Sequence, residues 1–225
     1  MATLFIVGTP IGNLEDVTLR ALRVLKEVDV ILCEDTRVTK RLLEKYAIAD
    51  KQLTTYNEQQ SGINATKVIG LLEEGKNVAL VSDAGTPGIS DPGSMLVQKV
   101  REALPDIKIE SVPGPSALTA ALSIAGVPVH DFVFLGFLPH KKGRETLFKE
   151  IATSERTMIF YESPHRILKA LESLEKFAPG KRVTIARELT KIHEEIKSGT
   201  PSELLDFFKT NEEKVRGEFV VIVTP

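Results

Sequence analysis

Tryptophan is absent, aromatic residues make up only 6% of the chain, and Cys33 is its single cysteine. One thiol closes no internal disulfide and builds no cysteine-rich zinc centre. So few rings leave little material for a platform on which successive bases would stack. Neither sign of charge dominates, with 29 Lys+Arg against 31 Asp+Glu. That excludes a chain ruled by sequence-independent DNA binding, which carries a strong positive excess, but leaves a local basic patch for RNA open. Long hydrophobic runs are missing too. Val30–Cys33 and Val78–Val81 are strand-sized, far below the roughly 18 residues of a membrane span. No basic segment precedes the first apolar stretch, which stops at Gly8, so no signal peptide is read. The four histidines, His130, His140, His165 and His193, show no i, i+4 pairing, and no metal site is expected. The expectation is a soluble, cytoplasmic protein kept reduced, bound to neither membrane nor DNA.

What is present suits one large domain or two of about 110 residues each, since 42% of the 225 residues are hydrophobic. Strand-sized apolar runs alternate with helix-period segments along the whole length, the α/β signature. Strands are expected at Thr3–Val7, Val30–Cys33, Val78–Ser82 and Ile107–Val112. Between them, Asp16 is expected to cap a helix through Val28. Further helices are read over Thr36–Lys45, Ser61–Glu74 and Pro92–Leu104, the last opened by its proline. Near Pro113 the pattern restarts. Ser116 would cap a helix through Ala125, and strands follow at Phe132–Phe137, Thr157–Tyr161, Arg182–Arg187, His193–Ser198 and Phe219–Val223. The helices of this half are read from the end of a basic loop, Pro139–Arg144, to about Thr153, over Pro164–Lys176 and over Ser202–Thr210. The fold class is thus α/β in two domains, residues 1–114 and 115–225, the second with more antiparallel sheet because its connections are short.

Glycine and proline are ordinary in number and unusual in placement. They supply five of the eleven residues of Asp83–Gly93 and three of the four of Pro113–Ser116, and they recur in Gly8-Thr9-Pro10-Ile11-Gly12-Asn13. Each window follows an expected strand. In an open α/β sheet such strand ends share one edge, outside which ligands bind. Glycine lets main-chain N–H and C=O groups approach a ligand closely, and proline holds the loop in shape. The ligand class is less defined. Gly8–Gly12 with Glu34 downstream imitates a dinucleotide fingerprint, but the G-x-G-x-x-G spacing is missing and Pro10 takes the place of the close-approach glycine. No G-x-x-x-x-G-K-[ST] occurs either, so a P-loop is unsupported.

Leu4–Leu14, Glu34-Asp35-Thr36-Arg37, Ser82–Gly93, Val112–Ala117 and Phe160-Tyr161-Glu162-Ser163-Pro164-His165-Arg166 together resemble the tetrapyrrole-methylase superfamily. They are most similar to its branch acting on a ribose 2′-hydroxyl of a decoding-centre cytidine in 16S rRNA of the small ribosomal subunit. The likeness runs from residue 3 to about 223. It implies two α/β domains, S-adenosylmethionine bound in a bent form in the cleft between them, and a homodimer. Carried over by position, it puts the cofactor against Pro10, Asp83, Ala84, Gly85, Thr86, Ile89, Ser116, Ala117, Tyr161, Arg187 and Glu188. Members of the rRNA branch usually continue some tens of residues further, into a segment expected to help RNA docking, whereas this sequence ends at Thr224-Pro225.

Methyl transfer to a hydroxyl asks mainly for positioning, with a base as an aid. Candidate bases are Glu34, Asp35, Glu162, His165 and Glu188. Glu34, Asp35 and Arg37 form the candidate catalytic set. The two carboxylates read equally well as anions stabilising a helix start, and Arg37 as their partner or as a phosphate contact. Positive charge for RNA is concentrated in His140, Lys141, Lys142 and Arg144, in Arg37, Lys40 and Arg41, and in His165 and Arg166, with Lys181, Arg182, Arg187 and Lys191 as an extension. Two rivals stand beside this reading: methylation of a tetrapyrrole precursor such as uroporphyrinogen, and an RNA-binding or assembly module without catalysis.

Overall fold

Alternation of apolar side chains along the first strands serves two faces at once. The computed structural model describes residues 2–56, 61–91 and 93–225, and it divides into two units, Met1–Ser116 and Ala117–Pro225. In the first unit the strands β1 (Thr3–Val7), β2 (Val30–Cys33), β3 (Gln52–Thr55), β4 (Val78–Val81) and β5 (Lys108–Val112) lie in the order β3-β2-β4-β1-β5. Every pairing is parallel. Helices α1 (Leu19–Glu27) and α2 (Thr36–Lys45) place Ala21, Val24, Leu25, Leu42 and Leu43 against Val7, Ile31, Cys33, Ala79 and Val81. On the opposite face, α3 (Ser61–Glu73) and α4 (Ser94–Ala103) place Val68, Leu72, Leu96 and Val100 against Leu4, Val30, Leu32, Val78 and Leu80. Burial on both faces is what near-continuous apolar strands of this kind require.

The second unit is built differently. Its strands β6 (Phe132–Phe137), β7 (Thr157–Glu162), β8 (Arg182–Arg187), β9 (Glu195–Gly199) and β10 (Phe219–Thr224) follow the order β6-β7-β10-β8-β9. Only β6 and β7 pair in parallel; β10 runs against both β7 and β8, and β9 against β8. Three helices, α6 (Arg144–Thr153), α7 (Ile167–Phe177) and α8 (Pro201–Thr210), cover one face. Phe148, Ile167, Leu171, Leu174, Leu204 and Phe208 pack there on Met158, Phe160, Val183, Ile185 and Val221. The unit opens with α5 (Ala117–Ile124). Among the described residues, no helix is long and apolar enough to cross a membrane.

Local chemistry corrects several expected element starts. Asp16 does not cap α1: it ends a single 3-10 turn, Leu14–Asp16, and Thr18 is the cap, its hydroxyl accepting the Ala21 N–H at 3.0 Å. Val17 stays extended and separates the two. Strand β3 was not expected, because Gln52-Leu53-Thr54-Thr55 is a polar, half-covered edge strand with no apolar run. Pro92, the expected opener of α4, lies outside the described residues; the helix runs from Ser94. Ser163 to Arg166 form a turn rather than the first turn of α7, and β9 begins two residues later than expected.

Candidate functional site

Because all five strands of the first sheet are parallel, their C-terminal ends lie along one edge, and the three Gly/Pro windows leave from it. After β1 the chain crosses to the α1/α2 face; after β4, its neighbour, it crosses to the α3/α4 face. The crevice where neighbouring strands send their chains to opposite faces is where an open α/β sheet takes a ligand. Here the two loops are laced together. Thr9 N–H donates to the Gly85 carbonyl at 2.8 Å, and Gly85 N–H donates back to the Thr9 carbonyl at 3.1 Å. The Thr9 hydroxyl donates to the Ser82 carbonyl at 3.0 Å. Gly85 holds φ at +84°, a conformation that favours glycine.

The third window closes from the other side. Gly8 N–H donates to the Val112 carbonyl at 3.0 Å, and a Cβ on Gly114 would stand 2.8 Å from the Gly8 carbonyl group. Two main chains touch here with no room for a side chain. Pro10, Ile11, Gly85 and Pro87 are buried, Ala84 and Thr86 half-buried, and Asp83 and Ile89 exposed. Under the same loop a cavity of about 290 Å³ is lined by Ile6, Leu80, Pro87, Gly88, Gly93 and Val97 among others.

Beside these loops, the residues after β2 collect charge. Asp35 N–H donates to Asp83 Oδ1 at 3.0 Å, and Asp83 N–H to Glu34 Oε1 at 3.3 Å. Asp35 caps α2, accepting the Arg37 N–H at 2.8 Å, and Arg37 Nη2 meets its Oδ2 at 2.5 Å. The Arg37 side chain and its main-chain N–H together hold the Asp35 carboxyl down to about 2. Such a carboxylate stays ionised and is a weak base. Lys40 and Arg41 lie on the exposed face of α2, Lys40 3.8 Å from Glu44.

The second sheet also gathers its expected residues at one edge. Strands β6, β7 and β8 run the same way, so Leu138–Arg144, Tyr161–Arg166 and Arg187–Glu188 leave from the same side. The Tyr161 hydroxyl accepts the Leu118 N–H of α5 at 3.1 Å, and its ring meets Phe134 edge-on at 4.9 Å. Arg187 is buried, with Nε 2.9 Å from Glu195 Oε2. Glu188 takes the Lys191 ammonium at 2.8 Å and the Glu218 N–H at 3.3 Å. Burial pushes the Glu188 carboxyl up, but these donors outweigh it and leave it below its ordinary range. His140, Lys141, Lys142 and His165 are exposed, whereas Arg144 and Arg166 turn inward onto the buried Glu162. Arg182 opens β8 and so lies at the opposite edge, which removes it from the basic surface.

Residues 3–205 match the family model for Tetrapyrrole (Corrin/Porphyrin) Methylases. The chain is 48% identical over 225 residues to a Thermotoga maritima protein named Ribosomal RNA small subunit methyltransferase I, covering 100% of this chain and 99% of that one. It is 49% identical over 224 residues to the Escherichia coli O157:H7 protein of the same name, covering 98% and 77%. This chain belongs to the tetrapyrrole methylase family, among the small-subunit methyltransferase I proteins. Solved structures agree in fold. The methyltransferase CobJ superposes with a TM-score of 0.70 at 24% identity, covering 100% of this chain and 94% of its own. The uroporphyrin-III-C-methyltransferase of Thermus thermophilus gives 0.70 at 22%, with the same coverage.

Membership in a methyltransferase family makes the Gly/Pro rim of the first sheet the place to look for a methyl donor. The expected cofactor residues fall into two groups: Pro10, Asp83, Ala84, Gly85, Thr86 and Ile89 along that rim, with Ser116 closing the first unit, and Ala117, Tyr161, Arg187 and Glu188 in the second unit. The sequence reading missed the ionic frame around the latter: Glu195, Lys214 and Glu218, together with the pairing of Lys191. Lys214 Nζ stands 2.5 Å from Glu195 Oε1, and Lys191 Nζ 3.2 Å from Glu218 Oε2. Only the Glu188–Lys191 spacing, i and i+3, is a local signal; the other pairs join distant segments.

Proposed function

We propose that this protein transfers a methyl group from S-adenosylmethionine to the 2′-hydroxyl of a cytidine in 16S rRNA of the small ribosomal subunit. The observation carrying the donor half is the rim itself, a seat made of main chain at the β4/β1 crevice with Glu34, Asp35 and Asp83 beside it. A cationic sulfonium and ammonium suit that concentration of carboxylates and carbonyls. The close packing of Gly8 on Gly114 and the positive φ of Gly85 keep this rim low and suit close main-chain approach. Pro10, Asp83, Ala84, Gly85, Thr86, Ile89, Ser116, Ala117, Tyr161, Arg187 and Glu188 are the proposed contacts. The acceptor half rests on relatives that match 100% and 98% of the chain at 48% and 49% identity and carry a ribosomal RNA name, against 24% and 22% for the two solved methylases.

When bound, S-adenosylmethionine supplies a methyl group on a sulfonium that is its own leaving group. This chain's residues then have two tasks. The first is to hold the hydroxyl in line, the larger contribution. The second is to accept its proton. Asp35, held to about 2 and capping α2, is poorly suited to that, and Glu162 is fully enclosed by arginines. Glu34, which accepts the Asp83 N–H at 3.3 Å, is the proposed proton acceptor, worth about 10²–10⁴-fold, with Asp35 and Arg37 beside it as the pair that opens α2. Lys40, Arg41, His140, Lys141, Lys142 and His165 are the proposed phosphate contacts. The protein is proposed to act as a cytoplasmic homodimer.

The test is methyl transfer to 30S subunits and to a uroporphyrinogen-type acceptor side by side, with mass-spectrometric mapping of the ribose. Transfer to the porphyrinogen alone would end the rRNA reading. Calorimetric titration with S-adenosylmethionine separates the enzyme from a silent RNA-binding module; no heat at several temperatures would favour the module.

A further inference from the structure

Glu162 ends β7 with its side chain fully enclosed, and two guanidinium groups, each only 15% exposed, share it. Arg166 Nη2 stands 2.7 Å from Oε1, and Arg144 Nη1 3.3 Å from Oε2. Both arginines also grip the chain leaving β6. Arg166 Nη1 donates to the Leu138 carbonyl at 2.8 Å, and Arg144 Nη1 to the Pro139 carbonyl at 3.2 Å. At the far end of the same segment, the Arg144 N–H donates to the Lys141 carbonyl at 3.2 Å. The segment thus held presents His140, Lys141 and Lys142 to solvent.

A buried ion cluster of this kind adds little stability over an apolar core of equal volume. Its distinctive property is geometric: one carboxylate fixes two forks, and the forks fix both roots of one basic loop. Two guanidiniums against one carboxylate also leave a net positive charge beneath the exposed cations. We infer that Glu162, Arg144 and Arg166 are positioning residues that hold the Pro139–Gly143 loop ready for the phosphates of the RNA acceptor. This rests on the RNA reading above. A preset loop binds without the ordering penalty that a slack one carries.

The experiment measures binding of 30S subunits and of S-adenosylmethionine against salt for four proteins: unsubstituted, Lys141→Ala/Lys142→Ala, Glu162→Gln, and the combination. The lysine pair should flatten the log–log salt slope by about one to two. Glu162→Gln should weaken 30S binding about tenfold through loss of loop order while leaving S-adenosylmethionine affinity unchanged. In the lysine-free background it should add almost nothing. Arg144→Lys, which keeps the charge and loses the fork, replaces Glu162→Gln should that protein fail to fold, and is expected to weaken 30S binding about threefold. Full additivity with the lysine pair, or 30S binding untouched by the triad variant, would overturn the inference alone. Absence of salt-dependent 30S binding by the unsubstituted protein would overturn the RNA reading, and the inference with it.

Discussion

The two sheets hold their loop-bearing edges by opposite means. The first uses main chain: Thr9 and Gly85 exchange hydrogen bonds, and Gly8 lies against Gly114. The second uses side-chain charge: Arg144–Glu162–Arg166, Arg187–Glu195–Lys214, and Glu188–Lys191–Glu218. A main-chain edge makes a seat whose shape is independent of rotamers, suited to one small ligand. A charged edge sets the position of other charges and suits an extended anion. The difference teaches that substitutions should fail in different ways at the two edges.

The largest expected effect is at the charged edge. Glu162→Ala leaves two mostly enclosed guanidiniums, each 15% exposed, uncompensated and should cost up to about 3–5 kcal/mol, read as a lower urea midpoint. A loss under about 1 kcal/mol would show that the arginines reach water freely. Next comes Gly114→Ala, whose Cβ would meet the Gly8 main chain at 2.8 Å. Neither partner is a flexible side chain, so about 1–3 kcal/mol is expected, together with weaker S-adenosylmethionine binding by calorimetry. Gly85→Ala sharpens the contrast. Its Cβ would find ordinary room, 3.5 Å from Ile11 Cγ2, but at φ +84°, so a strain of roughly 1–2 kcal/mol is expected without a clash. Equal losses at Gly85 and Gly114 would mean that strain, not space, shapes the rim.

The smallest effect is in acid. Asp35 is lowered from 3.8 to about 2, so the folded form binds that proton less readily than the unfolded chain. Its contribution is therefore present above about pH 4 and lost as pH falls through about 2. Asp35→Asn should remove this contribution near neutrality, a small loss for a solvent-screened pair, and flatten this part of the acid limb, both measured by unfolding at stepped pH.

The main-chain edge was far more legible in the sequence than the charged one. Glycine and proline announce backbone geometry locally, so the windows at Gly8, Asp83 and Pro113 are assignable to strand ends from the sequence alone. Apolar runs likewise mark most of the strands among the described residues. Strand β3 escaped because an edge strand half open to water needs no such run. The partners of Glu162 escaped for a different reason. Arg144 lies 18 residues away and joins it only because β6 and β7 pair in parallel. Arg144 and Arg166 read in sequence as surface cations because charge has no address until the fold supplies a counter-ion. Asp16 was misplaced by one short turn, a matter of local competition between two possible caps.

Gly8 and Gly114 set the floor of the rim by the thickness of two polypeptide backbones alone. Heating or a change of neighbouring residues can reorient side chains, but it cannot make peptide groups thinner. The spacing of the two loops at that point is therefore a fixed gauge, and altering which ligand the proposed seat takes would have to begin at the side chains around it.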